Sequence, residues 1–174
     1  AALNAVQAGF DGVEVHGANG YLIDQFLRQT SNKRTDEYGG TLANRARLLL
    51  EVIDAAIAVW GAGRVAVRIS PLVGYNDIAD SDAVGLTGFL GREFDRRGIA
   101  FFELRHADHA LPAERAVAAA ARDSFRGALF VNGGYDYASG TAAVASGAAD
   151  AIVYGRAFIS NPDEEARLKD DAYQ

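Results

Sequence analysis

The sequence predicts an α/β fold, a (β/α)8 barrel of which this chain supplies roughly the last five β/α units, and three observations carry that prediction. Short β-branched or aromatic runs alternate with alanine- and leucine-rich helical stretches, the pattern of βα units joined by right-handed crossovers into a parallel sheet. Polar residues gather just after several of the apolar runs, where a barrel keeps its active site. Glycine-rich turns follow the last two runs, matching the phosphate site many barrels form after strands seven and eight. Periodicity alone also fits a doubly wound open sheet; the placement of the polar residues favours the barrel.

Five strands are predicted, at 12–16, 65–70, 100–104, 128–131 and 151–154, each short and mostly apolar as in a buried parallel sheet. The stretch 1–6 reads as part of an amphipathic helix without an N-cap. Residues 42–59 place Leu42, Ala46, Leu49, Leu50, Ile53 and Ile57 on one stripe with charge opposite. Further helices are expected at 82–97, 113–125, 140–146 and 164–169. No linker or second domain interrupts the pattern, so residues 1–174 read as one partial barrel domain holding strands four to eight. The absence of methionine and of an N-cap before residue 1 adds the expectation of a fragment or processed product.

Composition narrows the chemistry. The net charge is -6, which disfavours a nucleic-acid partner, since phosphate backbones need a basic surface. No apolar run reaches the ~18 residues of a membrane span, and no basic-then-apolar leader is present; a cytoplasmic protein acting on a small molecule is expected. The sequence contains no cysteine, so thiolate metal sites and cysteine nucleophiles are excluded and redox chemistry would need a bound cofactor.

The most specific segment is Gly12-Val13-Glu14-Val15-His16-Gly17-Ala18-Asn19-Gly20-Tyr21, continuing through Asn32-Lys33-Arg34-Thr35-Asp36-Glu37-Tyr38-Gly39-Gly40 to Asn44-Arg45. It is similar, almost word for word, to the signature of the Old Yellow Enzyme family of NADH:flavin oxidoreductases and ene-reductases, here in their C-terminal portion. The resemblance implies that His16 and Asn19 bind the substrate's carbonyl or nitro oxygen and that Tyr21 supplies a proton to its carbon. The chemistry explains the residue types. Hydride addition to an activated alkene puts negative charge on the activating oxygen, where two neutral donors stabilise it, and a phenol near the opposite face protonates the adjacent carbon. The bland alternative is a capping His and Asn beside a core tyrosine.

Arg68 sits in an otherwise apolar strand, so an anionic or strongly accepting partner should meet its guanidinium. The resemblance implies the pyrimidine end of the flavin of FMN; the structural alternative is an ion pair with Glu103 or Glu14. Asn132-Gly133-Gly134 and Gly155-Arg156 form the second matched block. Glycines let backbone approach a phosphate, helix N-terminal amides bind the anion and Arg156 adds a charge-assisted contact. Taken singly such turns end many strands for steric reasons alone; with the resemblance they imply the FMN phosphate site, with NAD(P)H as hydride donor. Asn161-Pro162-Asp163 reads as a turn.

The charged segment 32–40 reads as a solvated connection in which Arg34 and Asp36 pair with neighbours. Arg105, His106, Asp108 and His109 match no metal-ligand spacing; they are expected to be solvated, and no metal is expected. Asn19 as second donor, with no cysteines, leans away from the family's iron–sulfur relatives. In the family the first three strands also touch the flavin. A five-strand arc would leave open parallel edges, predicting marginal stability, weak FMN binding and self-association or pairing with the missing half. The alternatives are an inactive truncated barrel and a non-flavin barrel that binds a phosphate substrate.

Overall fold

The computed structural model describes residues 1–161. Five strands, β1 (Val13–Gly17), β2 (Val65–Ile69), β3 (Phe101–Arg105), β4 (Ala128–Asn132) and β5 (Ala151–Val153), lie in that order in one sheet with every pairing parallel. The helices are α1 (Ala2–Gln7), α2 (Leu22–Leu27), α3 (Leu42–Trp60), α4 (Ala83–Arg97), α5 (Pro112–Ser124), α6 (Tyr137–Ala145) and α7 (Arg156–Ser160). Each expected strand forms to within one residue at either end. The helix expected at 164–169 and the Pro162-Asp163 end of the turn lie outside the described residues.

Alternation along the strands divides the sheet into two faces. Val15, Val67, Ile69, Phe102, Leu104, Leu129 and Val131 are buried and join Leu49 and Ile53 of α3, Leu90 and Phe94 of α4 and Val117 and Ala121 of α5 in one core. Phe102 meets Phe94 and Phe125 edge-on, with centroids 5.1 and 5.9 Å apart, a favoured aromatic geometry. The other face carries Glu14 and His16 of β1, Arg68 of β2, Glu103 and Arg105 of β3 and Asn132 of β4. Strand register sets His16 beside Arg68, Arg68 beside Glu103, and Arg105 beside Asn132. One face therefore supplies the core and the other the polar site.

Local signals fix the helix starts. Thr41 accepts from the Asn44 amide ahead of α3, and Asp82 accepts from the Gly85 amide ahead of α4. Helix α6 begins at Tyr137, three residues before the expected 140, because Asp136 and Ser139 close a reciprocal capping box. Helices α2 and α7 have no counterpart in the sequence pattern; both are short, and both follow strand-end loops whose polar residues mask helical periodicity.

Candidate active site

The loop after β1 reverses sharply. Asn19 and Gly20 take the left-handed conformation, with φ of 58° and 77°. Asparagine tolerates that region, but the next position requires glycine: a Cβ on Gly20 would lie 2.6 Å from the Tyr75 carbonyl oxygen and 2.7 Å from Asn76 Nδ2. The Asn19 amide donates to Ser70 Oγ at 2.8 Å, the Gly20 amide to Asp24 Oδ2 at 2.9 Å, and the Gln25 and Asn76 amides to the Gly20 carbonyl at 2.8 and 3.0 Å. The loop is thus bolted to the chain leaving β2. The Asn19 side-chain Oδ1 is buried with no hydrogen-bond partner among the described residues.

His16 lies within β1, as in the expected strand 12–16, and its ring centroid is 5.7 Å from that of Tyr21. Partial burial of the ring, then the Arg68 charge, holds the His16 pKa below the ordinary histidine value, so the imidazole is neutral at pH 7. Tyr21 is the residue preceding α2 and is 63% exposed, leaving its hydroxyl open to a ligand.

Beneath this loop sits an ion pair that the sequence pattern does not single out. Arg28 is 1% exposed. Its Nε lies 3.0 Å from Asp24 Oδ1, and one Nη donates to the Ser70 and Val73 carbonyls at 3.1 and 2.9 Å. Burial raises the Asp24 pKa and outweighs the opposing Arg28 charge. The available signal is an acid and a base four residues apart across a short apolar stretch. Arg45 plays a similar part, donating to the Leu27 and Gly40 carbonyls at 2.8 Å each and pairing with Asp80 at 3.3 Å. In the segment 32–40, Arg34 pairs with Asp36 as expected, while Asn32 turns inward to donate to the Phe26 and Tyr38 carbonyls.

Next to the loop, a cleft of about 830 Å³ opens on the polar face of the sheet, lined among others by Arg68, Asn132, Gly133, Gly134, Gly155 and Arg156. The structure therefore brings all six expected cofactor-binding residues together. His16, Asn19 and Tyr21 do not line it; they border it through the register of His16 with Arg68. Arg68 Nη2 donates to Asn132 Oδ1 at 3.1 Å, and Asn132 Nδ2 donates to the Val153 carbonyl at 2.5 Å, which fixes the amide's orientation. Arg68 Nε stands 2.7 Å from Glu103 Oε1, an ion pair that is not aligned as a hydrogen bond. The expected structural partner of Arg68 is thus present, and Arg68 remains 23% exposed beside it. Glu14, also on the cleft wall, has its carboxyl pushed up to about 7, first by burial and then by Glu103.

The glycine turn after β4 is forced. Gly133 has φ of 112° and Gly134 of 80°, and a Cβ on Gly133 would sit 2.2 Å from the His106 carbonyl oxygen. At the N-terminus of α6 the Asp136 side chain accepts from the Ser139 amide, so one of that helix's first amides is already capped. An anion at this end of the cleft would instead meet Gly155, around whose missing Cβ there is open space, and Arg156, which forms no ion pair with the described residues.

The loop after β3 also departs from expectation. His106 is buried, 1% exposed, not solvated: its Nδ1 lies 2.8 Å from Glu114 Oε2, because α5 turns Glu114 inward, where Oε1 also accepts from the Ala107 amide. His109 stacks on Tyr135 at 3.9 Å. Among the described residues no three His, Cys, Asp or Glu side chains cluster as a metal site would require. No described helix is long and apolar enough to cross a membrane.

The cleft suits an elongated ligand with an anionic end near Arg156 and a hydrogen-bond-accepting edge near Arg68, and its volume is within the range of small-molecule sites. FMN has that form.

Comparison with known proteins gives a consistent result. The NADH:flavin oxidoreductase / NADH oxidase family matches residues 1–174. A probable flavin mononucleotide-dependent alkene reductase of Leishmania infantum is 50% identical over 167 residues, covering 96% of this chain and 46% of that protein. 12-Oxophytodienoate reductase 1 of Oryza sativa subsp. japonica is 44% identical over 177 residues, 99% of this chain and 47% of that protein. Among solved structures, morphinone reductase in complex with tetrahydroNAD superposes with a TM-score of 0.91 at 39% identity, over 98% of this chain and 46% of that one. The old yellow enzyme homologue from Zymomonas mobilis gives a TM-score of 0.92 at 39% identity, over 98% of this chain and 49% of that one. The five-strand parallel sheet matches part of the barrel of these enzymes. The chain spans about half the length of the relatives it matches.

Proposed function

The chain belongs to the NADH:flavin oxidoreductase / NADH oxidase family, and from that premise we propose that it carries the substrate loop and much of the FMN site of an ene-reductase. The reaction is reduction of activated alkenes, α,β-unsaturated carbonyl or nitro compounds. The observation that carries this reading is the meeting of Arg68, Asn132, the Gly133-Gly134 turn and Gly155-Arg156 on one cleft, bordered by the loop that holds His16, Asn19 and Tyr21.

Bound FMN would accept a hydride from NAD(P)H and deliver it to the alkene. Arg156 and the glycine turns would hold its phosphate, and Arg68, braced by Asn132, would face the electron-rich edge of its ring. His16, neutral at pH 7, and Asn19 would donate hydrogen bonds to the substrate's activating oxygen, where negative charge collects. Tyr21 O–H would release its proton to the alkene carbon that did not receive the hydride, with its exposed position leaving room for the substrate. The bolts from Ser70, Asp24 and Asn76 keep this loop from relaxing, so the donors are in place before substrate arrives. A small-molecule substrate and a cytoplasmic location belong to the same proposal.

A stopped-flow measurement separates the two halves of the reaction. FMN-loaded protein should be bleached by NADPH or NADH and recoloured by 2-cyclohexenone. Tyr21→Phe should slow only the second phase. Equal slowing of both phases, or none, would rule out Tyr21 as the proton donor.

A further inference from the structure

The glycine turn after β4 is held from outside. Glycine has more backbone freedom to lose than any other residue, so Gly133 and Gly134, both at positive φ, keep one orientation only if their surroundings impose it. The loop after β3 does so. The His106 amide donates to the Asn132 carbonyl at 2.7 Å, and the His109 amide to the Gly133 carbonyl at 3.4 Å. The His109 ring stacks on Tyr135, the residue that leaves the turn. Around the missing Cβ of Gly134 the nearest atoms are His109 Nδ1 and Asp108 Oδ1, at 3.3 and 3.4 Å.

The loop in turn is held by Glu114, in the first turn of α5 and 1% exposed. One of its carboxyl oxygens accepts from the Ala107 amide at 2.5 Å, and the other lies 2.8 Å from Nδ1 of the equally buried His106. His106, Ala107, Gly133 and Gly134 line the cleft, and Glu114 stands behind them. We propose that Glu114 is a positioning residue for the phosphate of FMN: through His106 and Ala107 it fixes the loop, and through the loop it fixes the Gly133-Gly134 turn in the conformation that receives the phosphate. This inference rests on the flavin reading of the cleft.

Without the Glu114 carboxyl, a buried amide and a buried imidazole nitrogen lose their partners, which is costly, and the loop is driven to shift until both find water. The turn then loses its wall, and its amides regain freedom that phosphate binding must remove. Ordering one backbone residue is worth roughly 5–30-fold in an equilibrium constant. The loss falls on the phosphate end alone. At the ring end Arg68 is braced by Glu103 and by Asn132, whose side chain is tied to the Val153 carbonyl of β5 rather than to the loop.

The test is titration of apo-protein with FMN and with riboflavin, which has the same ring and no phosphate, followed by quenching of flavin fluorescence. The wild type should prefer FMN. Glu114→Met, similar in length but without an acceptor oxygen, should lose roughly 5–30-fold in FMN affinity with riboflavin affinity unchanged. Glu114→Gln should keep the wild-type preference, because its oxygen can accept from Ala107 while its NH2 donates to a bare His106 Nδ1. Glu114→Asp, one methylene too short to reach both partners, should behave as Glu114→Met does, and it decides the matter if the methionine variant fails to fold. Amide hydrogen exchange gives a readout without flavin: the His106 and His109 amides should exchange faster in Glu114→Asp than in the wild type or Glu114→Gln. An unchanged FMN preference in Glu114→Met and Glu114→Asp, an equal loss for both ligands, or no faster exchange would overturn the positioning role while leaving the flavin reading intact. A wild type that binds riboflavin as tightly as FMN, or folded protein that binds neither, would instead remove the phosphate site, and the role of Glu114 with it.

Discussion

Replacing Arg28 by Met should cost the fold about 4 kcal/mol, and the structure shows why the figure is neither larger nor smaller. Arg28 and its partner Asp24 have side chains 1% and 2% exposed, so water cannot take over their bonds. Methionine has similar length and would fill most of the space, so the cavity cost is small. What is lost is one ion pair at 3.0 Å and two charged hydrogen bonds to the Ser70 and Val73 carbonyls, each of the latter about 1.5–3 kcal/mol. An uncompensated Asp24 carboxylate would add several more, but burial already raises its pKa, so it would take up a proton and cap the penalty. Urea unfolding of wild type, Arg28→Met, Asp24→Asn and the double variant measures this directly. The double variant should be less destabilised than the sum of the singles, since each single change strands the other partner. A loss below about 1 kcal/mol in Arg28→Met, or strict additivity, would refute the reasoning.

Other predictions follow from the same geometry. Gly20→Ala places a Cβ against the Tyr75 carbonyl at 2.6 Å and strains a φ of 77°; it should destabilise by about 2–4 kcal/mol in denaturant melts and lower kcat/KM for enones more than it lowers FMN affinity. Tyr21→Phe should reduce the rate of alkene reduction by roughly 10²–10⁴ with little change in reduction of the flavin by NAD(P)H. Glu14 has a folded pKa near 7, above its unfolded value of 4.5. The stability it contributes is therefore complete below pH 4.5 and lost as pH rises through about 7. Glu14→Gln should remove that slope from thermal melts taken across this range.

The βα order was legible because each parallel strand is a short apolar run and each long helix keeps a stripe, as Leu49 and Ile53 do in α3. Helix α2 escaped because Asp24 and Gln25 break its six-residue apolar pattern, and their purpose, holding Arg28 and the Gly20 carbonyl, is visible only in three dimensions. The start of α6 was misplaced because Tyr137, Ala138 and Ser139 look like loop until Asp136 is seen capping them. For the site, motif wording pointed to His16, Asn19, Tyr21, Arg68 and Arg156. It did not reveal that register sets His16, Arg68 and Glu103 in one row, since strand neighbours far apart in sequence leave no local trace. The same limit hid the burial of His106, which depends on Glu114 arriving from α5.

In the proposed ene-reductase the cleft would hold FMN by its phosphate at Arg156 and by its ring at Arg68. Titration of apo-protein with FMN, followed by flavin fluorescence, tests it most directly. Binding should be saturable and should weaken by roughly 10–150-fold in Arg156→Ala, the worth of a charge-assisted contact to phosphate, with riboflavin binding unchanged by that substitution. Saturable FMN binding indifferent to Arg156→Ala, or no binding at all by folded protein, would contradict it.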